Sequence, residues 1–197
     1  MEPLAEAILV EISALPEGMP VTATALLHLG SRPAVSRAFS RLMRRGKIYK
    51  ISRGVYVASV VSRFGSSAPS LHQLIEELSK QLGETLVPSP AFSANALGLT
   101  TQVPVRAVYL TSGRSRKLTL GKLVIELQHA PSWHLTLAEE PAGEIIRALA
   151  WSGPEQINQT LKKLESIVPR SAFDQVSAQS SRLPPWVQEA LARMGDG

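Results

Sequence analysis

Cysteine is missing from all 197 residues, so neither a disulfide staple nor a thiolate metal site is available to this chain. That absence fits a reducing compartment. Long apolar runs are missing as well: no stretch approaches the roughly 18 uncharged apolar residues that a membrane-spanning helix requires. The first residues, MEPLAEAILVEISALPEG, hold Glu2, Glu6, Glu11 and Glu17 and no Lys or Arg, unlike the basic start and unbroken apolar stretch of a signal peptide. The expectation is a cytoplasmic protein with no membrane partner. Acidic residues are also missing from two intervals. None stands among Arg32, Arg37, Arg41, Arg44, Arg45, Lys47, Lys50 and Arg53, and none lies between Glu84 and Glu126.

What is present is ordinary for a folded protein, 44% hydrophobic and 19% charged, and this excludes wholesale disorder. The length suits one large domain or two small ones. Charge is unevenly placed. Residues 1–66 hold nine Lys and Arg against four Glu, whereas residues 67–197 hold twelve of each sign, so the whole net charge of +5 lies in the first third. A one-sided cationic cluster is the electrostatic footprint of a polyanion partner. A merely solvated face usually mixes both signs.

Periodicity divides the chain into a first domain over 1–62, a linker over 63–70 and a second domain over 71–197. Leu4, Ile8, Leu9, Ile12 and Leu15 predict a helix over residues 3–15, ended by Pro16, Gly18 and Pro20. Thr22 or Thr24 can cap a short second helix that stops at Gly30. Ser31 is placed to cap a third, with Pro33 in its first turn and Gly46 at its end. On that third helix Val35, Ala38, Phe39, Leu42 and Met43 share one stripe. Pro33, Ser36, Arg37, Ser40, Arg41 and Arg44 share the outward side, where arginine forks can reach guanine edges or phosphates of a major groove. The segment KIYKISRGVYVAS then alternates around Arg53-Gly54, a hairpin signal, and places Lys47, Lys50 and Arg53 to meet phosphates. Three helices followed at once by a basic hairpin is the order of a winged helix-turn-helix.

Beyond the small, polar stretch Val60–Ser70, helical patterns are expected over 71–82 and 92–97. Strands are expected over 103–111, 117–120 and 123–129, and helices near 139–151, 154–167, 172–180 and 184–194. Helices before and after a small antiparallel sheet make the second part an α+β domain. The hairpin SGRSRKLTLGK carries Arg114, Arg116, Lys117 and Lys122, a second candidate contact for nucleic acid or an acidic partner; a water-solvated basic turn reads equally well.

Catalytic chemistry finds little support. His28, His72, His129 and His134 form no metal-binding pair, no phosphate-cradling glycine motif occurs, and no serine sits in a nucleophile elbow. Glu126 with Gln128 faintly suggests a nuclease core, but such a core needs a second carboxylate on the preceding strand. The interval holds Arg106, Arg114, Arg116, Lys117 and Lys122 instead, which favours salt bridges to Glu126. No enzyme, no cofactor and no metal are expected.

The winged-helix phrase RLMRRGKIYKISRGVYV, followed by LVPSPAFSANALGLTTQVPVRAVYLTSGRSRKLTLGKLVIELQHA, resembles the AbiEi-type antitoxins. These are transcriptional regulators of abortive-infection (type IV) toxin–antitoxin systems. The resemblance covers roughly residues 5–150 and is most specific over Ser93–Val105 and Tyr109–Leu118. It implies a repressor that binds inverted repeats in its own promoter, a site compatible with an oligomer on DNA, and a second domain that neutralises a cognate nucleotidyltransferase-like toxin. Carried onto this sequence, it puts operator contact at Arg32, Ser36, Arg37, Ser40, Arg41 and Arg44 on the helix and at Lys47, Lys50 and Arg53 on the wing. Residues 150–197 match no pattern. The alternatives are a general RNA-binding adaptor and, behind it, a nuclease-type enzyme.

Overall fold

A computed structural model describes residues 3–63 and 65–195. Met1 and Glu2 of the expected first domain, Phe64 of the expected linker, and Asp196 and Gly197 at the end of the second domain lie outside the described residues. In chain order the elements begin with α1 (Pro3–Ser13), β1 (Val21–Thr22), a 3-10 segment (Ala23–Leu29) and α2 (Arg32–Arg44). Next come β2 (Ile48–Ser52), β3 (Val55–Ala58), β4 (Val60–Ser62), β5 (Gly65–Ser67), α3 (Leu71–Leu82), β6 (Leu86–Pro88) and α4 (Pro90–Ala96). The chain continues through β7 (Ala107–Thr111), β8 (Arg116–Leu120), β9 (Leu123–His129), a 3-10 turn (Ser132–Leu135), α5 (Ala142–Glu165), α6 (Arg170–Ala178) and α7 (Pro185–Gly195). Among the described residues the strands are ordered β1-β3-β2, β4-β5 and β6-β7-β9-β8 in three small sheets, with β1–β3, β2–β3, β4–β5 and β6–β7 paired antiparallel. The protein is α+β.

The chain divides into two compact units, Met1–Glu84 with Arg116–Ile125, and Thr85–Ser115 with Glu126–Gly197. The core of the first unit gathers Ala5, Ile8 and Ile12 of α1, Val35, Ala38, Phe39 and Leu42 of α2, and Ile48 of β2. Helical spacing marked Ile8, Ile12 and the α2 residues; of the others it marked, Leu4, Leu9 and Met43 border this core and Leu15 is exposed beyond the end of α1, while Ala5, unmarked, is buried. The second helix is a 3-10 segment kinked at Leu26, whose φ of −105° leaves the helical range. Thr22 caps it, its hydroxyl accepting the Ala25 N–H, while the Thr24 hydroxyl donates to Thr22.

The ends of α2 follow local chemistry. Ser31 stands at the N-cap with extended backbone, yet its hydroxyl caps nothing. Pro33, two residues on, removes one of the two N–H groups such a cap would serve. At the far end the Gly46 N–H donates to Met43 O at 2.9 Å and the Lys47 N–H to Leu42 O at 3.0 Å, the paired bonds of a Schellman termination. Gly46 has φ +64° with nothing within 4 Å of a would-be Cβ, so a side chain there meets backbone strain alone. Gly46→Ala is expected to lower stability by about 1 kcal/mol, read as an earlier urea midpoint; an unchanged midpoint would show that the left-handed turn relaxes freely.

The hairpin expected around Arg53-Gly54 is present, with Ser52 opposite Val55 across a two-residue turn. Its alternation is broken by a bulge between Lys50 and Ser52, which is why Ile48 and Ile51, three apart, are both buried, at 2% and 1% exposure. The stretch read as linker contains the β4–β5 hairpin, paired Val60 with Ser67 and Ser62 with Gly65. The helix after it, α3, belongs to the first unit: Leu74, Ile75 and Leu78 are buried, and a Cβ on Gly18 would meet the Gln73–Leu74 backbone.

In the second unit Ala142, Ile145, Ile146 and Leu149 of α5 join Leu161 and Leu164, Phe173 and Val176 of α6, and Val187 and Leu191 of α7. Helix α5 breaks at Gly153 (φ 70°, ψ 176°) before Pro154, as the two separate helical patterns anticipated. Strand β7 is shorter than expected. Val103 and Val105, 73% and 98% exposed, flank Pro104, which lacks the N–H that a ladder needs.

Candidate nucleic-acid interface

Helix α2 turns its apolar residues inward so completely that Val35 and Leu42 are fully buried and Phe39 is 1% exposed. The opposite face is therefore fixed to solvent. Ser36, Arg37, Arg41 and Arg44 are exposed there, and Arg32 is exposed in the first turn of the helix. Ser40 differs from expectation: it is half-buried, and its hydroxyl donates to the Ser36 carbonyl at 3.0 Å, the usual back-bond of a mid-helix serine. Its hydroxyl proton is thus engaged within the helix, leaving only the oxygen lone pairs for an outside donor. Among the described residues no ion pair engages Arg32, Arg37, Arg44, Lys47, Lys50 or Arg53.

The hairpin β2–β3 is held to this helix by packing. The rings of Phe39 and Tyr56 lie 4.5 Å apart between centroids, tilted by 45°, and Tyr56 borders the same core. Lys50 and Arg53 are exposed on the hairpin, and Lys47 is half-buried at its start. The β4–β5 hairpin is fastened nearby, the Ser66 hydroxyl lying 3.4 Å from Gly46 O and 2.8 Å from the Ser59 hydroxyl. It carries exposed Arg63, which pattern reading passed over because its segment looked like linker. Elsewhere in the unit the Glu11 carboxylate, 2.9 Å from His28 Nε2, raises the pKa of that imidazole above its ordinary value. That acid is occupied by a histidine of its own unit.

The second basic group is divided by the structure. Arg116 is not offered to a partner: its guanidinium forks onto Glu84, with Nη2 to Oε2 at 2.8 Å and Nη1 to Oε1 at 3.3 Å. Arg114 is exposed but belongs to the second unit. Lys117 and Lys122 are exposed on the β8–β9 hairpin, whose Arg116–Ile125 portion belongs to the first unit. That hairpin lies against the wing strand. The Thr119 hydroxyl lies 3.1 Å from Lys50 O and 3.3 Å from Ile51 O, and Gly121 approaches the Tyr49 ring. Sequence order assigned these residues to the second domain. No local signal marks a contact between segments nearly seventy residues apart.

With the hairpin included, the first unit holds thirteen Lys and Arg against seven Glu, and the second unit eight against nine acids. Charge separation between the units is therefore sharper than the linear sequence suggests. Glu126, the one carboxylate that raised a nuclease, lies 3.9 Å from Arg106 and 3.4 Å from Gln128 Nε2. Among the described residues no group of three or more His, Asp or Glu is placed to hold a metal ion, and no helix is long and apolar enough to cross a membrane. His129 Nδ1 meets Gly113 O at 2.8 Å, and His134 lies edge-on to Trp133 with centroids 3.9 Å apart, so both are packing elements of the second unit.

The protein is thus α+β, with an exposed cationic helix followed by a cationic hairpin. The chain belongs to a family of unknown function (DUF6088), whose profile matches residues 7–176. No curated protein matches it, and no solved structure does.

Proposed function

We propose that the first unit is a winged helix-turn-helix and that the protein is a sequence-specific DNA-binding transcriptional repressor. One observation carries the reading: the solvent face of α2 presents Ser36, Arg37, Arg41 and Arg44, with Arg32 exposed in the first turn and the basic hairpin packed beside the helix through Phe39 and Tyr56. In this reading α2 enters the major groove, its arginines reaching base edges, while Lys47, Lys50 and Arg53 hold the phosphates alongside. Two copies on an inverted repeat would place two such helices on successive turns of one duplex face. The resemblance of residues 5–150 to AbiEi-type antitoxins supports a further role. There the protein represses its own operon, and the second unit neutralises a nucleotidyltransferase-like toxin in the cytoplasm.

Fluorescence anisotropy on three probes tests the DNA reading: the protein's own promoter duplex, an unrelated duplex of equal length, and tRNA. Preference for the promoter by a factor of about a thousand or more is expected of a specific regulator. Equal affinity for all three would overturn it in favour of a general RNA-binding adaptor. For the antitoxin role, co-expression with a nucleotidyltransferase encoded beside this gene should restore growth that the enzyme alone arrests, and failure to restore growth would remove that role.

A further inference from the structure

Resting on the DNA-binding reading of the first unit, we infer that Thr119 is a positioning residue of the wing: its hydroxyl locks the bulge in β2 and so sets where Lys50 and Arg53 meet phosphates. The need for a lock follows from the sheet. In the order β1-β3-β2 the strand β2 is an edge, so its backbone groups facing away from β3 have no ladder partner in that sheet. The bulge between Lys50 and Ser52 disrupts the ladder on the other side and bends the strand. It lies between Lys50 and the Arg53-Gly54 turn, so its geometry aims both cations. One hydroxyl answers it. Thr119 of β8 donates to Lys50 O at 3.1 Å and reaches Ile51 O at 3.3 Å, sharing a single proton between two neighbouring carbonyls. Neighbouring carbonyls of a regular strand point to opposite edges, so it is the bulge that brings both to one donor.

Thr119 is itself held within the first unit. Leu118 and Leu120 on either side of it are buried, which turns its side chain to the opposite face of β8. At the start of the strand the Arg116 guanidinium forks onto Glu84, and beyond its end Gly121 (φ +63°) lies against the Tyr49 ring of β2. Threonine suits the position: its branched Cβ restricts χ1 and so aims the proton with little rotamer freedom to lose. Lys50 and Arg53 are exposed, so the backbone beneath them sets their direction. Losing the Thr119 bond leaves the α2 arginines in place and releases only the wing. Phosphate affinity should therefore fall while sequence discrimination survives.

The test measures the affinity of full-length protein for promoter and unrelated duplex across a salt series. Thr119→Val keeps the branched shape and removes the proton. It should bind both duplexes about fivefold more weakly, the effect of one hydrogen bond, with a shallower log–log salt slope. Thr119→Ser restores the hydroxyl and should bind like wild type. The deciding readout is a cycle with K50A/R53A, which should itself weaken binding about tenfold and make the slope shallower by about two. If Thr119 acts through those cations, adding T119V to K50A/R53A changes affinity by less than about twofold; a merely structural residue would multiply the two losses. Multiplied losses, K50A/R53A without effect, T119V binding like wild type, or T119S as weak as T119V would each overturn the inference. Should T119V fail to fold, T119A takes its place in the cycle. R37A/R41A separates the two levels of reading. If that variant loses binding while T119V does not, the lock falls and the winged helix stands; if wild-type protein binds no duplex, both fall.

Discussion

Replacing Arg37 and Arg41 together with alanine is expected to abolish promoter binding at nanomolar protein while leaving the fold intact. The two side chains sit four residues apart, one turn of α2, and both are exposed on the face opposite Phe39 and Leu42. Each guanidinium that reaches a base edge or phosphate is worth about 1–3 kcal/mol, so losing two weakens binding by at least about thirtyfold. Neither side chain belongs to the core, so unfolding transitions should stay within about 0.5 kcal/mol of wild type. The paired measurement matters. Lost binding with an unchanged melt assigns the face; lost binding with a collapsed melt would assign these residues to folding instead. A gel shift that survives the double substitution would move recognition off α2 altogether. Wild-type binding should also fall steeply with salt, because every neutralised phosphate releases condensed counterions.

The parts of this interface that sequence made legible are those governed by local rules. Helical spacing separates Val35, Ala38, Phe39 and Leu42 from the arginines because a helix rotates by a fixed angle per residue, and no distant contact can change which residues share a side. The stop at Gly46 was legible for the same reason, since only a left-handed turn closes the backbone there. What stayed hidden depended on partners far along the chain. Strand β6, three residues long, exists because Val87 pairs with Leu110 of β7. Arg116 looks like any exposed cation until Glu84 is brought to it across 32 residues. Ser40 reads as a polar surface position, and its back-bond to Ser36 is a choice of rotamer that composition does not determine. The bulge in β2 is a subtler case: strict alternation separates Ile48 from Ile51, and one extra residue in the ladder lets both be buried. The burial of Arg147 was the least legible of all. Nothing in GEIIRALAW distinguishes an arginine that ends up 2% exposed from one at the surface.

That arginine sets the largest expected effect on stability. Its Nε donates to the buried Ser93 hydroxyl at 3.3 Å, and Nη1 finds no partner among the described residues. Burial pushes its pKa down to about 10, opposed by the Glu144 charge, so it is still a cation at neutral pH. A charge held in the core with so few hydrogen bonds opposes folding, and an apolar side chain of similar reach removes that opposition. Arg147→Met is therefore expected to raise the unfolding midpoint of the protein. Arg147→Ala removes the charge but also leaves a cavity between Ser93 and α5, and should lie below the methionine variant by about 2–5 kcal/mol. The same substitution reaches His134, whose pKa is held below its ordinary 6.5 first by burial of the ring and then by the Arg147 charge. Because the folded pKa is the lower one, the unfolded chain binds more protons at acid pH, and stability is lost as pH falls through about 6.5. Removing the Arg147 charge lets the folded pKa climb back toward the unfolded value and shrinks that loss. Urea midpoints of wild type and Arg147→Met, taken from about pH 7.5 down to about pH 5, should converge on a flatter profile for the variant. A methionine variant less stable than wild type would mean that the guanidinium meets partners its geometry does not display, and an equally steep acid limb in both would remove the coupling between Arg147 and His134.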